Sequence, residues 1–534
     1  MALSAKLKVP LPDKGIMVRR SGTYHYVYKI IRSYRNDKGQ ATSERISIGK
    51  LDEKSGLLLP NNNYWLYYEQ DAIELLPSFD SIRSLGATFL ITTILRSFQI
   101  EHILKATLGP ERAAQVLTAA TYMVCRGNIM EHILGWCEGY TLHETAMSDR
   151  QASALFASIT HDERMAFFKL WARKHPKDCY LAYDVTSFSS YAKGIEDTEW
   201  GYNRDGDKLP QINLGCYMGY ESALPLFYVT YPGSIVDKSH MSYMMAYNDD
   251  LGIDDATFVM DKGFASTVNI RYMHSKQLPY ILSVTVRHKA TKDAIDKVRD
   301  TILSMKQRIG QGVYADHVRG FFYGELSNMH IYYDPGLAEA HRADLYRTVE
   351  AQKERLGQLE QLTKREAKRY SAFFDIDLAK DGSFTLECSH PRIDEAAKNA
   401  GFFCLLTSTG LDSAEVLNIY RRKDVIEKGF DDLKNHIDMK RLRTHNTHTT
   451  DGKLFCAFVA LIAASHINAR LGTFMRDNSM SKDSVIAELE KIKAVIVSAD
   501  RRLMNPITKT QRSILETFGL GENEVKSYIT SSHQ

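Results

Sequence analysis

The chain has 534 residues, 44% hydrophobic and 25% charged, which at roughly 100 to 200 residues per domain implies three or more modules, or one core with large insertions. This composition is that of a soluble globular protein and excludes collagen-like, mostly disordered and multi-span membrane classes. The net charge of +3 hides an asymmetry: residues 1–50 hold eleven Lys/Arg against three acids, a balance of +8 that leaves −5 for the remainder. A small basic module on a mildly acidic body is an electrostatic footprint for nucleic acid or, equally, a solvated basic face.

In chain order, Tyr24 to Arg32 and Ser43 to Leu51 alternate as strands do around the polar turn Asn36 to Gln40, predicting a basic hairpin. Arg19, Arg20, Lys29 and Arg32 are its candidate DNA-binding cations. Pro60 to Asn63 reads as a turn or linker, and helical periodicity then runs from about Ser84 to His175, broken at Gly109-Pro110. Ser148 to Gln151 and Thr160 to Glu163 carry helix-start signals. From Asp178 short apolar strands take over: Tyr180 to Val185, Gln211 to Tyr217, Leu226 to Thr230, Thr257 to Met260 and Pro279 to Val284, with helical stretches near 239–248 and 267–275. Three consecutive strands and then alternating helix and strand predict an α/β fold with a mixed sheet.

Arg287 to Ala400 interrupts that rhythm with a charged helical run, Ala338 to Tyr370, whose Leu345, Val349, Leu356 and Leu359 form an apolar stripe suited to lying on its own domain, or to a dimer seam. The strand pattern resumes at Phe402 to Leu406, and a single long helix is expected from about Asp412 through Lys434. Leu454 to Ala464, about half of the roughly 20 residues a membrane span needs, reads as a buried helix. No apolar signal run opens the chain and no Cys-x-x-Cys pair occurs, so a reducing, cytoplasmic setting without membrane partners is expected.

No nucleotide-binding glycine motif and no zinc-type Cys/His spacing is present. What remains is carboxylates at the ends of apolar strands. Asp184 interrupts the apolar run Tyr180 to Val185, where an ionised group is costly unless paired or metal-bound. Asp261 comes directly after Thr257 to Met260 and so emerges at the carboxyl edge of a strand, where open α/β sheets place ligands. On one continuous helix, Tyr420, Lys423, Glu427 and Lys434 fall within a stripe about 60° wide, with Val425, Ile426, Phe430 and Leu433 on a separate apolar side. A solvent-facing helix with salt bridges would explain the charges but not the aligned tyrosine. Three separated carboxylates suit two-metal phosphoryl transfer, in which two Mg²⁺ ions activate the attacking oxygen and stabilise the leaving one.

These residues resemble those of bacterial insertion-sequence transposases with an RNase-H-like D-D-E catalytic domain, of the cut-and-paste kind with a Tyr-x2-Arg-x3-Glu-x6-Lys signature. The signature falls on Tyr420, Lys423, Glu427 and Lys434; Asp184 in Tyr-Asp-Val-Thr-Ser-Phe and Asp261 in Met-Asp-Lys-Gly-Phe match the first two acids. The resemblance covers roughly Lys177 to Leu471. The family's arginine is Lys423 here, preceded by Arg421 and Arg422, which keeps the charge but loses the bidentate fork.

The resemblance implies that Asp184, Asp261 and Glu427 hold two Mg²⁺, with Mn²⁺ able to substitute, while Tyr420, Lys423 and Lys434 contact phosphates near the scissile bond; Arg421 and Arg422 beside them are further candidate DNA-binding cations. It implies double-stranded DNA partners, the element's terminal inverted repeats and target DNA, and a homodimer when two ends are synapsed. Expected modules are a DNA-binding hairpin at 1–60, a helical domain for end binding or dimerisation at 61–176, catalytic core at 177–286 and 401–475 around an insertion at 287–400, and a helical region at 476–534. A catalytically retired DNA-binding descendant and a structure-specific nuclease of the same fold are the alternatives.

Overall fold

The computed structural model describes residues 8–36, 38–68, 81–142, 144–203, 205–310, 312–498 and 501–530, so Lys6 and Asp37 of the basic start lie outside the described residues. The chain forms two compact units, one of Met1–Arg83 with Lys493–Pro506 and Lys526–Gln534, the other of Ser84–Ile492 with Ile507–Val525.

In the first unit the expected hairpin is the centre of a four-stranded antiparallel sheet: β1 (Ile16–Ser21), β2 (Tyr24–Arg35), β3 (Ala41–Asp52) and β4 (Leu57–Pro60), in that order. Val27, Ile48 and Leu58 are buried on its inner face with Tyr64 and Trp65. Those two rings come from a helix, Asn62–Tyr68, placed where the sequence suggested a linker. Asn61 explains the difference: its side-chain carbonyl accepts from the Asn63 and Tyr64 amides at 3.0 and 3.3 Å, so the turn signal is a helix cap. Ser81–Ser84 (β5) belongs to a separate three-stranded sheet.

The second unit opens with helices Gly86–Ser97, Ile100–Leu108, Pro110–Arg126, Ile133–Tyr140, Asp149–Ser158 and His161–Lys174. Gly109 and Pro110 break the run as expected, and Ser148 with Gln151 and Thr160 with Glu163 form reciprocal capping boxes. The mixed sheet is made of β6 (Tyr180–Ser189), β7 (Gln211–Gly219), β8 (Pro225–Pro232), β9 (Thr257–Met260), β10 (Tyr280–Val284), β11 (Arg308–Gly310), β12 (Val313–Phe322), β13 (Glu325–Tyr333) and, after a small hairpin of β14 (Phe374–Leu378) and β15 (Phe384–Cys388), β16 (Phe402–Thr407). Its order is β11-β12-β13-β16-β10-β9-β6-β7-β8. In its core β8-β7-β6-β9-β10, β6, β7 and β8 are antiparallel neighbours, and β9 and β10 add in parallel to β6.

Of the stretch 287–400, β12 and β13 extend this sheet, because β13 pairs with β16 from Asn328↔Thr407 to Tyr333↔Phe402. The segment after β13 has a core of its own, where Val349 and Leu356 of helix Pro335–Gly357 pack with Leu362, Tyr370, Phe374 and Ile393. Leu345 joins that cluster, whereas Leu359 is 40% exposed.

The long helix expected over Asp412 to Lys434 is three pieces, Ser413–Arg421, Asp424–Asp431 and a π-turn at Asp432–His436. The amides of Lys423, Val425 and Ile426 each bond the carbonyl three residues back, so the join is a 3₁₀-like tightening. Leu454 to Ala464 lies in helix Thr447–Asp477, which is long and apolar enough to span a membrane by composition, yet 78% of its apolar window is buried inside the protein. β17 (Lys493–Ser498) and β18 (Arg501–Met504) complete the three-stranded sheet with β5, so the expected helical tail also contributes strands.

Candidate active site

Parallel pairing of β6 with β9 ends at Tyr183↔Met260, and Asp184 and Asp261 are the residues that follow in the chain, Asp184 still in β6 and Asp261 just past the end of β9. Side chains alternate along strands, so two residues one step beyond a registered pair start from the same face, on strands about 4.8 Å apart. Asp184 is half-buried in a strand whose next five residues are buried, and one of its carboxylate oxygens accepts the Val185 amide at 2.8 Å. Asp261 leaves β9 in extended backbone and accepts the Lys262 amide at 2.7 Å.

The Tyr420 hydroxyl donates to Asp261 Oδ1 at 3.3 Å, which ties the end of helix Ser413–Arg421 to the strand ends. Burial pushes its phenol well above the usual range, and the Asp261 and Asp184 carboxylates push it further, so Tyr420 stays protonated as a donor. The tightened join matters here, because residues three apart eclipse in a 3₁₀ turn and Lys423 lies over Tyr420 rather than about 60° to its side. Lys423 is buried, only 8% exposed, and its Nζ sits 3.4 Å from Glu427 Oε1.

Glu427 itself is open, with 63% of its side chain exposed. Its helix, Asp424–Asp431, packs on β6 and β7 through Ile426, Gly429 and Phe430. A Cβ on Gly429 would meet Met218 Cε at 2.9 Å, which shows how closely the helix approaches the sheet.

The remaining cations expected to touch DNA are placed differently from one another. Lys434, in the π-turn, is ion-paired with Asp205 at 2.7 Å, so any phosphate contact competes with that carboxylate. Arg422 turns to the sheet, donating to the Tyr220 carbonyl at 3.0 Å with its guanidinium 5.6 Å from the Tyr220 ring centroid. Arg421 is exposed. In the first unit Arg19, Arg20 and Arg32 are exposed, and Lys29 is half-buried over the Tyr68 ring at 4.1 Å.

Sequence reasoning missed how the β6–β7 loop is tied down. Arg441 pairs with Asp207, its backbone bridges to Ser189 at the end of β6, and Asn203 donates to Ser189 Oγ at 3.0 Å. Nothing local in the sequence around Asp207 indicates a partner more than 200 residues away.

The donor set is all oxygen, which suits a hard divalent cation. Asp184 and Asp261 are presented together, while Glu427 is engaged by Lys423; among the described residues no three His, Cys, Asp or Glu side chains are grouped as a metal ion would hold them.

Residues 175–462 match the family described as "Transposase DDE domain". Among solved structures, the chain is similar to the piggyBac transposase synaptic complex with hairpin DNA at 9% identity, covering 79% of this chain and 76% of that one with a TM-score of 0.36. No curated protein matches the chain. The matched family region spans more than half of the sequence and contains Asp184, Asp261, Tyr420, Lys423, Glu427 and Lys434, and the chain belongs to the family of transposases with a DDE domain.

Proposed function

We propose that the protein cuts DNA at the ends of its own mobile element and joins the freed 3′-hydroxyl to target DNA, with Asp184, Asp261 and Glu427 as the acids that hold divalent metal. The observation that carries this reading is the presentation of Asp184 and Asp261 one step beyond a parallel register, with the Tyr420 hydroxyl on Asp261. When bound, Mg²⁺ supplies charge stabilisation for the attacking and leaving oxygens of the phosphodiester. Tyr420 orients the Asp261 carboxylate. Lys423 offsets phosphate charge beside the acids as a compact point charge, which a lysine does without the planar fork of an arginine.

Double-stranded DNA is the substrate, the element's terminal repeats and a target duplex, and two protomers would synapse two ends. Retention of all three acids favours this over a retired DNA-binding descendant, because an unused site has no need to keep Asp184 within a buried strand. The test is a supercoiled plasmid carrying the DNA that flanks the gene, incubated with protein and Mg²⁺. Insertion products support the reading; cutting without joining supports a nuclease, and binding without cutting a retired enzyme.

A further inference from the structure

The β2–β3 hairpin is longer than the sheet that supports it. β1 pairs with β2 only from Tyr24 to Lys29, and β4 pairs with β3 only from Gly49 to Asp52. Beyond these limits β2 and β3 pair with each other alone among the described residues, from Ile30↔Arg45 to Arg35↔Ala41, with a bulge at Ile31. The apolar cluster beneath the sheet reaches Ile46 and goes no further. Ile31 to Arg35 are all exposed, including Ile31 at 43% and Tyr34 at 47%. A two-stranded ribbon is marginally stable on its own and presents unpaired edges, so its length is unexplained by packing among the described residues of the unit.

We propose that this distal ribbon enters the major groove of duplex DNA, an inference that rests on the reading of the chain as an end-binding transposase. Charge selects the partner: residues 30–45 carry Arg32, Arg35, Lys38 and Arg45 against two acids, Asp37 and Glu44. Register distributes the cations, since Arg32 shares a face with Tyr34 while Arg35 lies on the opposite face with Ser33. A ribbon of two strands about 4.8 Å apart is admitted by a major groove about 12 Å wide but not by a minor groove about 6 Å wide. Ile31 to Arg35 extends about 17 Å at roughly 3.4 Å per residue, about half a turn of duplex. Cations on both faces can then reach the phosphates of both groove walls while the ribbon's tip lies against base edges.

The test uses the full chain and a labelled duplex carrying the DNA that flanks its gene, with anisotropy read over a salt series. A parent protein that binds no duplex at low salt overturns the transposase reading itself. Given a binding parent, the Arg32→Ala/Arg35→Ala double variant should weaken binding at least ten-fold at moderate salt and flatten the slope of log K against log salt by about 1.8, from roughly 0.9 per phosphate lost. Glu44→Gln should tighten binding, and methylation of guanine N7 should weaken the parent. All three residues are exposed, so thermal unfolding of the variants should match the parent. Parental affinity and salt slope in the double variant, indifference to N7 methylation, or equal competition by a single strand of the same sequence would each overturn the ribbon assignment.

Discussion

Replacing Lys423 separates what its charge does from what its stem does. The side chain is buried along its length and reaches Glu427 at 3.4 Å, but Glu427 is largely exposed. An ion pair with so open a partner is worth about 0–1 kcal/mol. The buried methylenes are worth more, at about 0.8 kcal/mol each. Lys423→Met keeps most of the stem and removes the charge, so it should leave stability within about 1 kcal/mol of the parent. Lys423→Ala removes three methylenes and should cost about 2–3 kcal/mol. Both should slow single-turnover cleavage of an end-bearing duplex in Mg²⁺ by roughly ten- to a hundred-fold, the worth of one charge-assisted contact of about 1.5–3 kcal/mol. Cleavage by Lys423→Met at the parental rate would refute a role at the scissile strand. Equal destabilisation by Met and Ala would refute the division between stem and charge.

Asp184→Asn, Asp261→Asn and Glu427→Gln should each abolish cleavage and leave duplex binding within about two-fold, checked by gel assay and anisotropy on the same preparations; a variant that still cuts removes that residue from the acid set. Arg422→Ala should lower stability by about 1 kcal/mol through loss of the Tyr220 contact, with end affinity unchanged in a salt titration. Lys453 is buried in helix Thr447–Asp477 with its Nζ 3.0 Å from the Leu442 carbonyl, and desolvation lowers its pKa from 10.5 to about 7. The unfolded chain therefore holds a proton that the native state has lost between those values, and stability should rise with pH from about 7 to 10.5 by at most about 1.4 kcal/mol per unit. Lys453→Met should remove that rise, and matching melting-temperature slopes for parent and variant would contradict it.

How much was legible in the sequence depended on how local the cause was. Thr257 to Met260 is recovered to the residue because an apolar run closed by Asp261 carries its own stop signal. The capping boxes at Ser148 and Thr160 are equally local. The break at Arg422–Lys423 was not legible, since every residue from Val416 to Leu433 is compatible with one helix and the interruption comes from packing: Arg422 is drawn to Tyr220, and Lys423 is buried. The pairing of β13 with β16 and the Lys434–Asp205 contact join residues far apart in the chain, which no periodicity reports. Asp184 and Asp261 could be chosen from their flanks, but their common starting face is a property of strand register.

That register also separates what the chain can vary in length from what it cannot. Removing one residue from β6 ahead of Asp184 would turn its side chain to the opposite side of the sheet and part it from Asp261. No such rule governs the segment between β13 and β16. It leaves the sheet after β13, builds a small core around Val349 and Phe374, and returns as β16 beside the strand it left. Related proteins can therefore gain or lose dozens of residues there without disturbing the acids. Their alignment should be anchored on the strands before Asp184 and Asp261 and on the helix bearing Glu427, and never on the count of residues between them.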